Sequence, residues 1–478
     1  MPTFSPVTPE IVSALEKIVG ADYVVTTEPE LLLYGRDETE DLQYRPEVAV
    51  RPASTDEISK IMALSHAHDI PVTPRGAGTG LSGGALPVFG GIVLSVDRMN
   101  AILEIDENNL MTRVQPGVIT GVLQDTVAEK GLYYPPDPAS NGSCMIGGNI
   151  AENSGGPHCV KYGLTKDYVL ALEAVMPNGD VFRTGGKLRK DVAGYNLTQL
   201  LVGSEGTLAI VTEATLRLIP LPSYRRTVLA PFDDLDTAAK GIVAVYQSRI
   251  TPAALEIVEK AAIEAAVEHL GRDVPHSNAE AQILLELDGT DEESLDRDLM
   301  KVGEVLLEVG AMDVMLADTP AKERELWSVR KCLGEAVKKQ AAYVECDTAV
   351  PPDKVPDLLR GVREIAATHE IRQISYGHAG DGNIHVNVLT DDTDRAVREQ
   401  KLQPAIEAIF ELATGLGGTI TGEHGVGCAQ SRYLSLCRDP IAMAAMQGIK
   451  DAFDPKGLLN PGKVLPTEVP PPLPVAHV

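Results

Sequence analysis

A chain of 478 residues is too long for one compact core and calls for two to four domains. With 44% hydrophobic and 23% charged residues it has the make-up of a globular protein, and a formal net charge of −26 argues against a general binder of nucleic acid or anionic lipid. Aromatic residues are only 4%, with a single Trp, so the interior must be built from aliphatic side chains and Ala.

The opening segment MPTFSPVTPEIVSALEKIVG has no basic stretch followed by an apolar core, so no export signal is read there. No run of about 18 apolar residues occurs, and no membrane span is expected. Cys144, Cys159, Cys332, Cys346, Cys428 and Cys437 are scattered without a CxxC. That excludes iron–sulfur and structural zinc motifs and fits thiols in a reducing, cytoplasmic compartment.

Residues 9–20 read as a short amphipathic helix. From Arg45 to about Leu221, short apolar runs alternate with Gly and Pro: VAVRP (48–52), GIVLSV (91–96), TRVQPG (112–117), LALEAVMPNGD (170–180) and TLAIVTEATLRLIP (207–220). Helices are expected near 55–68 and 120–130, which makes this region α+β. At Leu221-Pro222-Ser223-Tyr224-Arg225-Arg226 the pattern changes to alternating helices and strands, so a separate layered α/β unit is expected over 222–415. A small helical segment with AMAAMQGIKDAFDP (442–455) and a Pro-rich tail, 466–478, complete the chain.

Gly78-Thr79-Gly80-Leu81-Ser82-Gly83 fits G-x-G-x-x-G, the dinucleotide fingerprint. A Rossmann turn must open a helix, however, and Gly84-Ala85-Leu86-Pro87-Val88-Phe89-Gly90-Gly91 follows. No helix survives that density of Gly and Pro. The loop instead offers bare amides in a concave nest that suits an anion, with Thr79 and Ser82 as hydroxyl donors and Arg75 as the neighbouring cation. A glycine-rich hairpin without ligand is the plain alternative, and the Gly-Lys-Ser/Thr of a nucleoside-triphosphate loop is missing. Two further stretches, YPPDPASNGSCMIGGNIAENSGG (134–156) and LVGSEGTLAIVTEATLRL (201–218), are similarly rich in small residues. Together the three point to an extended ligand touched mainly by backbone.

GHAGDGNIHVNVL (377–389) sets His378 and His385 on either side of a Gly-rich turn, with His385 and Asn387 on one face of a β-type run. TGEHGVGC (421–428) adds Glu423 and His424 in a glycine-flanked turn. Two imidazoles and a carboxylate form a common divalent-metal set, while a hydrogen-bonding histidine pair is the bland reading. In RELWSVRKCLGEAVKK, Arg330 shares a helical stripe with Leu326, Trp327, Leu333 and Val337. It either snorkels or forms a fork for a carboxylate.

The motifs PRGAGTGLSGGALP, PPDPAS…IGGNIAENSGG, KYG (161–163) and GSEGTLAIVTE resemble the FAD-binding domain of the vanillyl-alcohol-oxidase/p-cresol-methylhydroxylase family. GHAGDGNIH and GEHG narrow the resemblance to its D-2-hydroxy-acid dehydrogenase branch, over roughly residues 15–466. The resemblance implies an α+β fold: a two-subdomain FAD-binding (PCMH-type) domain over 1–221, a ferredoxin-like α/β substrate (cap) domain over 222–415, and a C-terminal helical segment over 416–478 returning to the flavin.

It also implies roles. Arg75, Gly76, Ala77, Gly78, Thr79, Gly80, Ser82 and Gly83 would wrap the FAD pyrophosphate. Pro138, Ser140, Gly147, Gly148, Asn149, Ala151 and Gly156 would line the flavin and ribityl chain. Glu205, Gly206, Ile210 and Val211 would meet the adenine half, and Asn460 the isoalloxazine. The first loop has Thr79 and no His, so dissociable FAD is expected. His378, His385 and Glu423 match metal ligands (zinc, manganese or iron), His424 the catalytic base and Arg330 the carboxylate-binding residue, with Asn387 orienting substrate.

The expected reaction is oxidation of a short 2-hydroxy acid, glycolate or D-lactate. Relatives that use 2-hydroxyglutarate carry a hydroxyl residue and a Lys where Gly334 and Glu345 stand here, and a negative Glu345 would repel a second carboxylate. Electrons would pass to separate FAD-binding and iron–sulfur partner subunits, to a quinone or to an electron-transfer flavoprotein, in a complex held at the inner membrane through partners. The alternatives are a 2-hydroxyglutarate dehydrogenase, a cell-wall precursor reductase on the same fold, and a non-catalytic assembly subunit.

Overall fold

A computed structural model describes residues 3–392 and 394–473, so the first two residues and the last five of the proline-rich tail lie outside the described residues. The chain forms two compact units. The first takes the chain up to Ser154, Leu164–Leu221 and the chain from Glu423 onward; the second takes Gly155–Gly163 and Pro222–Gly422.

In the first unit, helix Pro9–Val19 starts on Thr8, whose side chain caps Ile11, and buries Ile11, Leu15 and Val19. Helix Thr55–His68 is capped by Ser54 and buries Ile58, Ile61, Met62 and Ser65, the i, i+3, i+4, i+7 stripe of an amphipathic helix. It links two members of a four-stranded sheet ordered Val24–Val25, Val48–Val50, Ile92–Ser95, Val72–Arg75, whose last three strands run parallel. VAV and IVLS are buried along their whole lengths, as strands covered on both faces must be. A five-stranded antiparallel sheet is ordered Ile102–Asp106, Met111–Val114, Ile210–Arg217, Val169–Val175, Val181–Gly185. Strand Val72–Arg75 runs directly into the glycine loop and no helix follows before Ile92–Ser95, so the fingerprint is not a Rossmann turn.

The second unit is a seven-stranded antiparallel sheet ordered Met315–Leu316, Tyr224–Phe232, Ala281–Gly289, Ala254–Glu259, Arg372–His378, Asn383–Thr390, Ala342–Ala349. On one face Ile283 and Phe232 meet helix Leu235–Gln247 at Gly241. On the other, Leu229, Ala254 and Leu284 pack with Leu326 and Trp327, and Val258, Ile374 and Tyr376 pack with Val329, Leu333 and Val337. Register sets Val258 opposite Tyr376, Tyr376 opposite His385, and His385 opposite Asp347. The two-residue period of a strand then gathers Glu256, Tyr376, His378, His385, Asn387, Glu345 and Asp347 on this second face. No disulfide forms among the described residues, and none of their helices is long and apolar enough to cross a membrane.

Candidate active site

In the first unit the loop from Arg75 leaves the edge strand and spends little of its backbone on the protein itself. Among the described residues, the amides of Gly76, Ala77, Gly78, Thr79, Gly80 and Leu81 donate no hydrogen bond. Gly78 sits at φ +74°, and a Cβ there would enter the Arg75 guanidinium folded beneath it. Ser82 is fully buried, and among the described residues its Oγ has no partner; Arg75 Nη1 and Asn460 Oδ1 are likewise buried and unsatisfied among them. Buried polar atoms in native proteins are almost always paired, so a set of idle polar groups, donors for the most part, around one glycine loop calls for a polar ligand. Amides, a hydroxyl and a guanidinium match a diphosphate. The residues present fit FAD.

The second glycine-rich stretch contains helix Ile146–Glu152. Gly147 packs on Pro116, whose carbonyl accepts its amide at 2.8 Å, whereas Gly148 faces open space. Asn149 is buried and donates from Nδ2 to Thr120 Oγ1 at 2.6 Å. Pro138 and Ser140 lie in a turn in which the Pro138 carbonyl accepts from Asn141, and Ser140 from Ser143 and Cys144. Ala151 accepts the Glu205 amide at 2.8 Å. Gly156, unlike the other cofactor candidates, belongs to the second unit.

Around the third stretch the side chains make the following contacts within the protein. Glu205 turns its carboxylate to the glycine-flanked turn: Oε1 accepts the Val426 amide at 2.7 Å and Oε2 the Gly427 amide at 2.6 Å. Gly427, at φ +50°, brings its Cα against the Ser82 carbonyl, where no Cβ fits. Ile210 is spent on the hydrophobic core, and Val211 on the other side of the strand is half-buried. Gly206 packs on Pro74. Asn460 is buried and donates from Nδ2 to the carbonyls of Gly84 at 3.0 Å and Glu205 at 2.8 Å. Glu152 inserts its carboxyl between Gly84 and Gly425, and burial, reinforced by Glu205 and Asp37, pushes it well above the ordinary range. In the same unit Glu423 Oε1 and His424 Nε2 lie 3.8 Å apart, both mostly buried.

The second unit brings Arg330, His378, His385 and Asn387 together. Arg330 lies in the last turn of helix Pro320–Lys331 and is 8% exposed, so it does not snorkel. Its Nε meets Glu256 Oε2 at 2.5 Å, its Nη2 lies 3.5 Å from His378 Nδ1, and its guanidinium stands 5.0 Å over the Tyr376 ring. The other oxygen of Glu256 lies 2.8 Å from His378 Nδ1. Burial would push Glu256 up, but His378 and Arg330 outweigh it and hold the carboxyl below its ordinary value. The His385 and His378 rings stand 5.4 Å apart and nearly perpendicular. His385 Nδ1 lies 3.1 Å from Glu345 Oε1 and 3.6 Å from Asp347 Oδ1. Asn387 turns Nδ2 to the Ile374 carbonyl at 3.2 Å. Two buried imidazoles, each with Nδ1 against a carboxylate, have the donor chemistry that suits a divalent cation.

Sequence reasoning missed Glu256 and Asp347. Asp347 is wholly buried; it accepts from Asn383 Nδ2 at 2.7 Å and the Thr421 hydroxyl at 2.8 Å, and from the Gly422 amide at 2.9 Å. A signal existed in each strand, since ALEIVE and AYVECDTA carry acids inside runs otherwise fit for a core. Gly334 is exposed, with open space around its Cα.

Two family descriptions match: "FAD binding domain" over residues 46–185 and "FAD linked oxidases, C-terminal domain" over 221–464. The glycolate oxidase subunit GlcD of Bacillus subtilis is 41% identical over 96% of this chain and 97% of its own. A D-lactate dehydrogenase of Anaerostipes hadrus is 36% identical over 96% and 98%. Among solved structures, p-cresol methylhydroxylase with bound substrate superposes with a TM-score of 0.80 at 16% identity, covering 97% of this chain and 98% of that one, a likeness of fold. The chain therefore belongs to the FAD-linked oxidase family, on the fold of p-cresol methylhydroxylase, and is an FAD-linked oxidoreductase.

Proposed function

We propose that this enzyme oxidises a short 2-hydroxy acid, glycolate or D-lactate, to the 2-oxo acid, with the first unit binding FAD non-covalently and the second the substrate. The observation that supports this most is the buried cluster of Arg330, His378 and His385, in a chain whose full-length relatives bear the names glycolate oxidase subunit and D-lactate dehydrogenase. Bound FAD supplies the hydride acceptor at N5, and a divalent metal (zinc, manganese or iron) supplies a Lewis acid that lowers the pKa of the substrate hydroxyl.

The chain's own residues do the rest. Arg330 binds the substrate carboxylate through its planar fork. His378, His385 and Glu423 hold the metal. His424 takes the hydroxyl proton on a ring nitrogen. Asn387 orients the substrate. The hydroxyl proton and the carbinol hydride both leave, so two electrons depart and the C–O single bond becomes a carbonyl. Glu345 disfavours a second carboxylate and so selects against 2-hydroxyglutarate. Electrons go on to partner subunits or another acceptor at the cytoplasmic face of the membrane, which agrees with the subunit status of the Bacillus relative.

The test is purification, flavin absorbance and metal analysis, then dye-linked assays with D- and L-2-hydroxy acids. Yellow, metal-bearing protein active on glycolate or D-lactate is expected. Colourless or metal-free protein overturns the mechanism; faster turnover of 2-hydroxyglutarate overturns the substrate.

A further inference from the structure

Glu256 occupies the middle of a strand whose neighbours are Ala254, Leu255, Ile257 and Val258, and it is 0% exposed. Register with Arg372–His378 sets Ile257 opposite Gly377 and Val258 opposite Tyr376, which brings Glu256 beside His378. Its carboxylate is divided between two groups that the reaction needs: Oε1 to His378 Nδ1 at 2.8 Å and Oε2 to Arg330 Nε at 2.5 Å. A charge in the centre of a sheet is costly, and an apolar side chain of similar size would stabilise the strand as well or better. The placement therefore points to a task beyond stability.

We propose that Glu256 is the positioning residue shared by the substrate-carboxylate clamp and the metal centre, a role that rests on the assignments of Arg330 and His378 above. Holding the proton on Nδ1 of His378 fixes the tautomer whose Nε2 lone pair faces a cation, as carboxylate partners of metal-binding histidines do. Engaging Nε of Arg330 sets the plane of the guanidinium, so the terminal nitrogens present a fork of defined direction. One side chain thus fixes the direction of both groups, and their separation is set by the width of a single carboxylate. A residue that only neutralised Arg330 would not need its second oxygen on His378.

The experiment compares zinc-loaded, FAD-loaded wild type with Glu256→Gln, Glu256→Asp and Arg330→Lys. Zinc retention is measured against a graded chelator, and oxalate affinity from the perturbation of oxidised flavin absorbance. Glu256→Gln is expected to keep FAD, lose zinc affinity about 10- to 100-fold and bind oxalate about tenfold or more weakly. Arg330→Lys should weaken oxalate alone. Glu256→Asp, which keeps the charge, should fall between wild type and Glu256→Gln; it decides the matter if Glu256→Gln does not retain flavin. Flavin-loaded Glu256 variants with wild-type zinc and oxalate affinities overturn the proposal by itself. Wild type that holds no zinc overturns the reading of the metal centre, and this proposal with it.

Discussion

Glu345 and His385 stand on adjacent strands of the seven-stranded sheet, with Oε1 of the first 3.1 Å from Nδ1 of the second. The carboxylate read from sequence as a repeller of dicarboxylates thus stands at ion-pair distance from a candidate metal ligand. Glu345→Lys is expected to bring the kcat/KM values for glycolate and 2-hydroxyglutarate closer together while lowering activity on glycolate by about tenfold or more, the usual cost of removing a partner of a ligating histidine. Steady-state kinetics on both acids check it. An undiminished glycolate rate would show that His385 does not depend on Glu345.

Glu205 satisfies two amides of the glycine-flanked turn and is itself buried. Glu205→Leu leaves both N–H groups without an acceptor, at about 1–3 kcal/mol each. Glu205→Gln keeps one acceptor oxygen and should cost roughly half as much. Thermal unfolding followed by circular dichroism should therefore rank wild type, Gln, Leu in falling Tm.

Burial raises Glu259 from 4.5 to about 7, against the opposing pull of the Ser375 amide. The folded state thus holds this proton more tightly than the unfolded chain does, so stability from the group is intact below about 4.5 and declines as pH rises through about 7. Glu259→Gln removes that dependence. At pH near 8 the variant should be the more stable, by at most about 3 kcal/mol, and the difference should close toward pH 4. Urea unfolding at several pH values measures it, and parallel curves would refute it.

Arg330 and Glu256 form a buried ion pair. Arg330→Met leaves the buried carboxylate with His378 as its remaining partner of the two and should cost up to about 3–5 kcal/mol, whereas the double change with Glu256→Leu should recover most of the lost stability. Neither protein should oxidise 2-hydroxy acids at a useful rate. Comparing Tm with dye-linked activity separates the two losses.

Much of the architecture was legible because its signals are local. The i, i+4 stripe of Ile11 and Leu15, the continuous apolar runs VAV and IVLS, and the change of rhythm at Leu221-Pro222 each follow from the few residues they involve. Glycine and proline after Gly83 were enough to forbid a Rossmann helix, and the strand period set His385 and Asn387 on one face. What only the tertiary structure decided is which distant groups meet. Glu256 lies 74 residues from Arg330 and 122 from His378, and although an acid inside the apolar run ALEIVE hints at burial, nothing within that run names its partners. The same holds for Glu205, whose side chain serves amides 221 and 222 residues away. Backbone propensity and hydrophobic period act over a few residues. The pairing of charges across strands is set by register, which the packing of the whole sheet determines, and only there does the cost of burying a carboxylate select its partner.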